Sequence, residues 1–144
     1  MSVLHTSNSP EETRQLGREF VRTLGFSAVV CLHGDLGAGK TCFVQGMAEG
    51  LGWEGAVTSP TFGLVQEFRT HPRLIHADLY RLEDPAEIWS LGLDEWLEEE
   101  AVLAVEWSER VKNFWPADAW QVEILISPRD CDHREIRISR EEAL

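Results

Sequence analysis

Apolar residues recur at helical spacing near the start of the chain, at Leu16, Phe20 and Leu24. Residues 9–12 (SPEE), just before them, place a serine at the N-cap position, a proline at the first helical position and a glutamate at the third. These residues are typical of a helix start. Because Gly25 then ends the apolar pattern, we predict an amphipathic helix between residues 9 and 25.

Two short apolar runs lack any alternation with polar residues, at residues 28–32 (AVVCL) and 101–107 (AVLAVEW). Runs of this kind are typical of strands that are buried on both faces of a parallel sheet. A glycine-rich turn follows the first run, and a second helical pattern then reaches Leu51 and Gly52. The pattern therefore predicts a strand, a turn and a helix in direct succession.

The remaining elements alternate in type along the chain. Shorter strand patterns cover residues 62–68, 73–77, 120–126 and 134–139. A second helix start of the same kind lies at residues 84–87, and Gly92 interrupts that helix before residues 94–99. Because strands are interleaved with helices, we expect one α/β domain that spans residues 1–144.

Composition narrows the class of protein. The chain has 144 residues, and its 25 acidic and 13 basic side chains give a formal net charge of -12. This length is sufficient for one hydrophobic core. The apolar runs are too short to span a membrane, and the first residues lack the features of a secretory signal. Three cysteines without CxxC spacing indicate neither a disulfide framework nor a zinc site. We therefore expect a cytoplasmic protein with no membrane contact and no zinc.

The negative charge is concentrated in residues 83–109, which contain ten acidic and no basic side chains. Since nucleic-acid affinity depends largely on Lys and Arg, the charge balance disfavours direct binding of a phosphate backbone. Trp89 and Trp96 lie among these acidic residues, with leucines at helical spacing. This pattern is more typical of core packing, but an acid-rimmed surface that docks a protein is the alternative.

Residues 34–41 (GDLGAGKT) match the pattern G-x-x-x-x-G-K-[ST]. Glycine suits a backbone that must approach a phosphate, because a Cβ would obstruct the N–H groups and because glycine adopts positive φ angles. In this pattern Lys40 reaches the β- and γ-phosphates and the Thr41 hydroxyl ligates Mg²⁺, while the helix that follows adds its positive N-terminal end. The segment predicts a phosphate-binding turn; the alternative is an ordinary glycine-rich turn.

A phosphate-binding turn of this class needs a further carboxylate at the end of a neighbouring buried strand. Glu106 follows four apolar residues, and Asp78 ends a looser apolar run. Either carboxylate could instead be a solvated strand end, and His76 could be a structural histidine or a proton shuttle. Thr61 lies where switch proteins of this class place a hydroxyl that senses the γ-phosphate, although its Ser-Pro-Thr segment could also be a plain turn.

Four blocks of sequence, in this order and spacing, resemble the TsaE family. They are residues 34–41 (GDLGAGKT), 59–65 (SPTFGLV), 76–82 (HADLYRL) and 105–107 (VEW). The likeness extends from the first helix to about Pro116, and the DLYRL and EW blocks are far more specific than the glycine-rich turn. Members of the family are small P-loop ATPases required for the threonylcarbamoyladenosine modification of tRNA.

The resemblance implies a fold and a set of ligands. The fold would be a P-loop NTPase-like sheet with a mostly parallel core, helices on both faces and extra C-terminal strands. Mg²⁺ would be held by Thr41 and Glu106, and the catalytic residues would be Lys40, Asp78 and Glu106. The residues implied in ATP binding are Pro10, Leu36, Gly37, Ala38, Gly39, Lys40, Thr41, Thr61 and Trp107.

The resemblance also implies partners, the TsaD and TsaB proteins, whose catalytic cycle ATP hydrolysis would support. The tRNA would be bound mainly by those partners. Two other classes of function stay open: a small-molecule kinase that uses the same turn, and a nucleotide-gated binding module with negligible hydrolysis. Arg81 is the one arginine between the two carboxylates, which disfavours the arginine-bearing lid that such kinases use.

Overall fold

The computed structural model describes residues 2–35, 37–57 and 64–141, which form one sheet with helices packed against it. The strands are β1 (Ser2–Ser7), β2 (Ala28–His33), β3 (Val65–Phe68), β4 (Arg73–Asp78), β5 (Ala101–Glu106), β6 (Trp120–Ile126) and β7 (Arg134–Arg140). The α-helices are α1 (Pro10–Thr23), α2 (Lys40–Gly50) and α3 (Leu93–Leu97), and 3₁₀ helices span Pro85–Leu91 and Ser108–Arg110. Within these described ranges, no helix is long and apolar enough to cross a membrane.

The sheet has the strand order β1-β7-β6-β2-β5-β4-β3. The four central strands, β6, β2, β5 and β4, are parallel to one another. The outer strands β1, β7 and β3 all pair in antiparallel fashion. The expected mostly parallel core is therefore correct for the centre of the sheet only. Short connections join β3 to β4 and β6 to β7, and a connection of that length permits antiparallel pairing but not a parallel crossover.

Helices cover both faces of the sheet, as expected. On one face, α1 and α2 pack against the strands, and Phe43 of α2 is buried in the same cluster as Ala104 of β5. On the other face, Ile88 of the 3₁₀ helix and Leu93 of α3 are buried in one cluster with Leu103. Both faces of the central strands are therefore dry, which explains why their sequences are continuously apolar.

Two glycines allow α1 and α2 to approach very closely. A Cβ on Gly46 would lie 1.9 Å from the carbonyl oxygen of Arg14, and one on Gly17 would lie 2.2 Å from that of Phe43. Any larger residue at either position would force the helices apart. This contact fixes α2 against α1 and therefore fixes the position of Lys40, the first residue of α2.

Two elements differ from the sequence predictions. The strand β1 has no counterpart among the predicted elements; it is an edge strand with mostly exposed residues, and its partner β7 lies at the other end of the chain. The helix predicted from residue 84 is instead a 3₁₀ helix, Pro85–Leu91, although the Asp84 side chain caps it as predicted. That segment buries Ile88 alone, so it lacks the repeated apolar face that stabilises a longer α-helix.

Candidate functional site

The glycine-rich turn connects the carboxyl end of β2 to the start of α2. A Cβ on Gly34 would lie 2.7 Å from the carbonyl oxygen of Ile124, so no larger residue fits there. Gly39 has a φ of 116° directly before Lys40, a conformation that other residues rarely adopt. The glycines of the sequence pattern are therefore required by the shape of this turn. Leu36, predicted to contact ATP from the same turn, lies outside the described residues.

Lys40 is buried beside the turn, with 6% of its surface exposed. Its Nζ donates a hydrogen bond to the carbonyl oxygen of Gly34 at 2.7 Å and lies 3.7 Å from Oε1 of Glu106. The same atom is 4.9 Å from the centre of the Trp107 ring. A buried ammonium needs such partners because its removal from water is costly. Together these contacts place a positive charge at the carboxyl edge of the sheet.

Glu106 ends β5 and is 4% exposed, so it is a buried carboxylate and not a solvated strand end. Its Oε2 lies 2.7 Å from Nε2 of His76, which is fully buried on β4. Its Oε1 faces Lys40. Each carboxylate oxygen of Glu106 therefore has its own partner on a different element of the fold.

Asp78 ends β4 directly opposite Glu106 in the parallel register. It is half-buried, and its Oδ1 accepts a hydrogen bond from the backbone N–H of Tyr80 at 3.0 Å. Burial raises the pKa of the Asp78 carboxyl above its ordinary value, and the nearby charge of Glu106 adds to the rise. The hydrogen bond from Tyr80 and the charges of His76 and Lys40 act in the opposite direction. The structure therefore brings the two predicted carboxylates side by side in different environments.

Trp107 follows Glu106 in a left-handed conformation, with φ 60° and ψ 38°. Its ring centre is 5.0 Å from that of the exposed Tyr80. The guanidinium of Arg110 lies 5.9 Å from the Trp107 ring and 5.6 Å from the Tyr80 ring. A bulky residue at positive φ is uncommon, and such backbone strain is concentrated at functional sites. The site thus contains two neighbouring aromatic rings and a nearby arginine. The sequence motifs assigned a role to Trp107 but none to Tyr80 or Arg110.

Pro10 and Thr41 line one cavity of about 210 Å³ between the starts of α1 and α2. The sequence resemblance implied ATP binding by Pro10 and metal binding by Thr41, and the structure places both residues on this cavity. Thr61, also predicted to bind ATP, is outside the part of the chain that the structure describes. Four further predicted residues, Lys40, Asp78, Glu106 and Trp107, meet at the ends of the central strands.

Arg134 is a residue of this site that sequence reasoning missed. It begins β7, and its Nε donates to the carbonyl oxygen of Ala38 at 2.8 Å. Its Nη2 lies 3.5 Å from the carbonyl oxygen of Gly37. The contact joins the glycine-rich turn to a strand 96 residues further along the chain, and an arginine in an alternating strand pattern gives no signal of it.

A central parallel sheet, a glycine-rich turn after one of its strands and a buried lysine at the first residue of the next helix define a P-loop NTPase-like α/β protein. The family model described as "Threonylcarbamoyl adenosine biosynthesis protein TsaE" matches residues 7–136. The chain belongs to the TsaE family, as its motifs indicated.

Individual relatives agree with the family model. The TsaE protein of Rickettsia bellii is 40% identical over 136 residues, which cover 93% of this chain and 92% of the relative. The TsaE protein of Aquifex aeolicus is 43% identical over 136 residues, with 92% of each chain covered. The crystal structure of Bacillus subtilis YdiB superposes with a TM-score of 0.79 and 32% identity, covering 97% of this chain and 86% of that one. The expected P-loop NTPase-like fold is therefore confirmed.

Proposed function

We propose that this protein binds ATP with Mg²⁺ and hydrolyses it as a component of threonylcarbamoyladenosine synthesis on tRNA. The observation that carries the proposal is the contact between Lys40 and Glu106, which holds a buried ammonium and a buried carboxylate 3.7 Å apart beside the glycine-rich turn. A buried pair of this kind is poorly explained by stability alone, because both charges lose their hydration and apolar residues in their place are often as stable or more stable. A triphosphate with its metal ion would give each charge a partner of opposite sign.

The residues present at the site fit Mg²⁺. This ion prefers oxygen donors and is usually held by one or two carboxylates together with phosphate oxygens. Glu106 offers a buried carboxylate, and Thr41 offers a hydroxyl one residue after Lys40. Glu106 and Thr41 would hold the ion, and the ion would neutralise charge on the β- and γ-phosphates.

The side chains would have separate roles in phosphoryl transfer to water, a reaction that requires mainly positioning and charge neutralisation. Lys40 would exchange its contact with Glu106 for the phosphates. Glu106 is hydrogen-bonded and nearly inaccessible, whereas Asp78 is partly exposed at the same edge. We therefore assign the orientation of the attacking water to Asp78, and the backbone of the glycine-rich turn would hold the phosphates in line.

The proposed partners are proteins of the TsaD and TsaB kinds, with tRNA bound through them. The family membership supports this assignment, and so does the charge of the chain. A protein with a net charge of -12 is poorly suited to hold a tRNA backbone by itself. Hydrolysis would then serve the catalytic cycle of the complex.

Isothermal titration with ATP and Mg²⁺ tests the site. Lys40→Ala should weaken ATP binding at least tenfold and remove turnover, because it deletes the one buried cation that contacts the turn within the described residues. Lys112→Ala is the matched control, since Lys112 is the other lysine of the chain and is exposed. Wild-type affinity and turnover in Lys40→Ala would exclude this site.

Phosphate release, measured with and without the purified TsaD and TsaB proteins, tests the class of function. A component that works for a complex should hydrolyse ATP faster when its partners are added. An unchanged rate would favour a nucleotide-gated binding module, and transfer of phosphate to a metabolite in an acceptor screen would favour a small-molecule kinase.

A further inference from the structure

His76 lies in close contact with Glu106, and the proposed function gives this contact no role. It is fully buried on β4, and its Nε2 lies 2.7 Å from Oε2 of Glu106 on β5. The register explains the contact: Asp78 is opposite Glu106, so His76 is opposite Ala104, two residues earlier on the same face. Because Ala104 carries only a methyl group, the imidazole has room to reach along β5 to Glu106.

The direction of this hydrogen bond follows from the chemistry of the two groups. An ionised carboxylate can only accept, so Nε2 of His76 must carry the proton. The other ring nitrogen, Nδ1, is buried and has no hydrogen-bond partner within the described part of the chain. A leucine would fill this volume without leaving a buried polar atom unpaired, which costs stability. The histidine is therefore poorly explained by packing and well explained by its bond to Glu106.

The two partners of Glu106 differ in what happens when a nucleotide arrives. Lys40 lies 3.7 Å from Oε1 and is the side chain that would turn to the phosphates. His76 has no exposed surface and lies within β4, so it has no comparable freedom to turn away from Glu106. Once Lys40 contacts phosphate, the bond from His76 is the remaining side-chain contact that fixes the Glu106 carboxylate among the described residues.

We propose that His76 is a positioning residue that holds the Glu106 carboxylate in the orientation in which it ligates Mg²⁺. The inference rests on the proposed function, because it requires a metal at Glu106. It does not require His76 to change its protonation state. A residue that hydrogen-bonds to a metal ligand without touching the metal fixes the direction of the ligand oxygen. Loss of such a residue typically lowers metal affinity by 10- to 100-fold.

Three variants separate this role from a merely structural one. His76→Gln keeps an N–H donor at about the reach of Nε2, His76→Asn carries the same amide one methylene shorter, and His76→Leu removes the donor. Ser7→Ala is the matched control, because Ser7 is also fully buried and its hydroxyl is hydrogen-bonded to Thr13 at 2.8 Å, with no contact to Glu106. Thermal unfolding of each variant reports any general loss of stability.

The measurement is the binding of a fluorescent ADP, first in EDTA and then during a titration with Mg²⁺. We expect every variant to bind metal-free ADP within about twofold of wild type. His76→Asn and His76→Leu should require about tenfold more Mg²⁺ for half-saturation, whereas His76→Gln and Ser7→Ala should stay within about threefold. If His76→Leu does not fold, the Gln and Asn pair still decides the question.

The outcomes distinguish the two proposals. Equal Mg²⁺ requirements in the Gln and Asn variants, or an equal loss of ADP affinity with and without Mg²⁺, would overturn the positioning role and leave nucleotide binding intact. A wild-type protein that binds no ADP under either condition would overturn the proposed function, and the role of His76 with it.

Discussion

At the scale of single residues, Asp78 is a residue of the site whose charge lowers the stability of the folded state. Its carboxyl is partly buried and lies opposite Glu106, and both features raise its pKa. A carboxyl whose pKa is higher in the folded state than in the unfolded state binds its proton more tightly when folded. The protonated Asp78 therefore favours the folded state at low pH. This contribution to stability is lost as the pH rises through the folded-state pKa of Asp78. At neutral pH the ionised Asp78 destabilises the fold.

Asp78→Asn should relieve this destabilisation, because an amide carries no charge and its oxygen can still accept the hydrogen bond from Tyr80. In EDTA at pH 7 to 8 we expect the midpoint of thermal unfolding to rise by roughly 1–3 °C relative to wild type. The difference should shrink as the pH falls through the raised pKa of the Asp78 carboxyl, because the wild-type side chain then takes up its proton. ATP turnover of the variant should fall at the same time. A lower midpoint for Asp78→Asn at neutral pH would contradict this account.

The scale of the element shows which parts of the site could be predicted from sequence. Lys40 and Glu106 were predicted because each stands at a fixed offset from a strong local pattern, the glycine-rich turn or a continuous apolar run. The hydrogen bond between His76 and Glu106 was not predicted, because it depends on the register between β4 and β5. The same reason applies to β1, whose sequence is weakly patterned and whose pairing partner is distant. Local pattern specifies elements, whereas register and long-range pairing require the whole sheet.

The connection between β7 and the glycine-rich turn yields a prediction for Arg134. In a trans peptide unit the C=O and N–H groups point in opposite directions. The bond from Arg134 to the Ala38 carbonyl therefore turns the N–H of Gly39 away from β7 and helps to hold the turn in shape. We expect Arg134→Met to weaken ATP binding about tenfold, which corresponds to one charge-assisted hydrogen bond.

Arg137→Met is the control for this prediction, because Arg137 is an exposed arginine on the same strand. Titration calorimetry with ATP should show wild-type affinity for Arg137→Met. If the two variants bind ATP equally well, the contact between β7 and the turn has no part in nucleotide binding.

On the scale of the whole molecule, the charge is distributed unequally over the surface. Eight acidic side chains lie between residues 83 and 100, and none forms an ion pair with another described residue. Most apolar residues of this segment are packed into the core, including Ile88 and Leu93. Trp89 is the large apolar side chain of the segment that stays exposed: it is 64% exposed and contacts the ring of Phe114 edge-on. Core packing is therefore correct for most apolar residues of the segment, whereas the docking surface stays a hypothesis, which the exposed Trp89 supports.

Trp89 and Glu98 line one cavity of about 590 Å³ on this face, and they test the docking hypothesis separately. Exposed aromatic residues contribute mainly to the lifetime of a complex, whereas rim charges steer its formation. With the purified TsaD and TsaB proteins, Trp89→Ser should raise the dissociation rate about tenfold. Glu98→Lys should lower the association rate and weaken its dependence on salt.

Phe26→Ser and Glu135→Lys are matched controls for these two variants, since Phe26 is 60% exposed, Glu135 is exposed on β7, and neither belongs to the acidic segment. Association and dissociation rates should be measured by surface plasmon resonance at low and high salt. Rates for Trp89→Ser and Glu98→Lys that match those of their controls would remove this face from the interface. Changes confined to the acidic segment would instead show that the negative charge of the chain serves recognition of a basic protein surface, because a tRNA backbone would be repelled by the same residues.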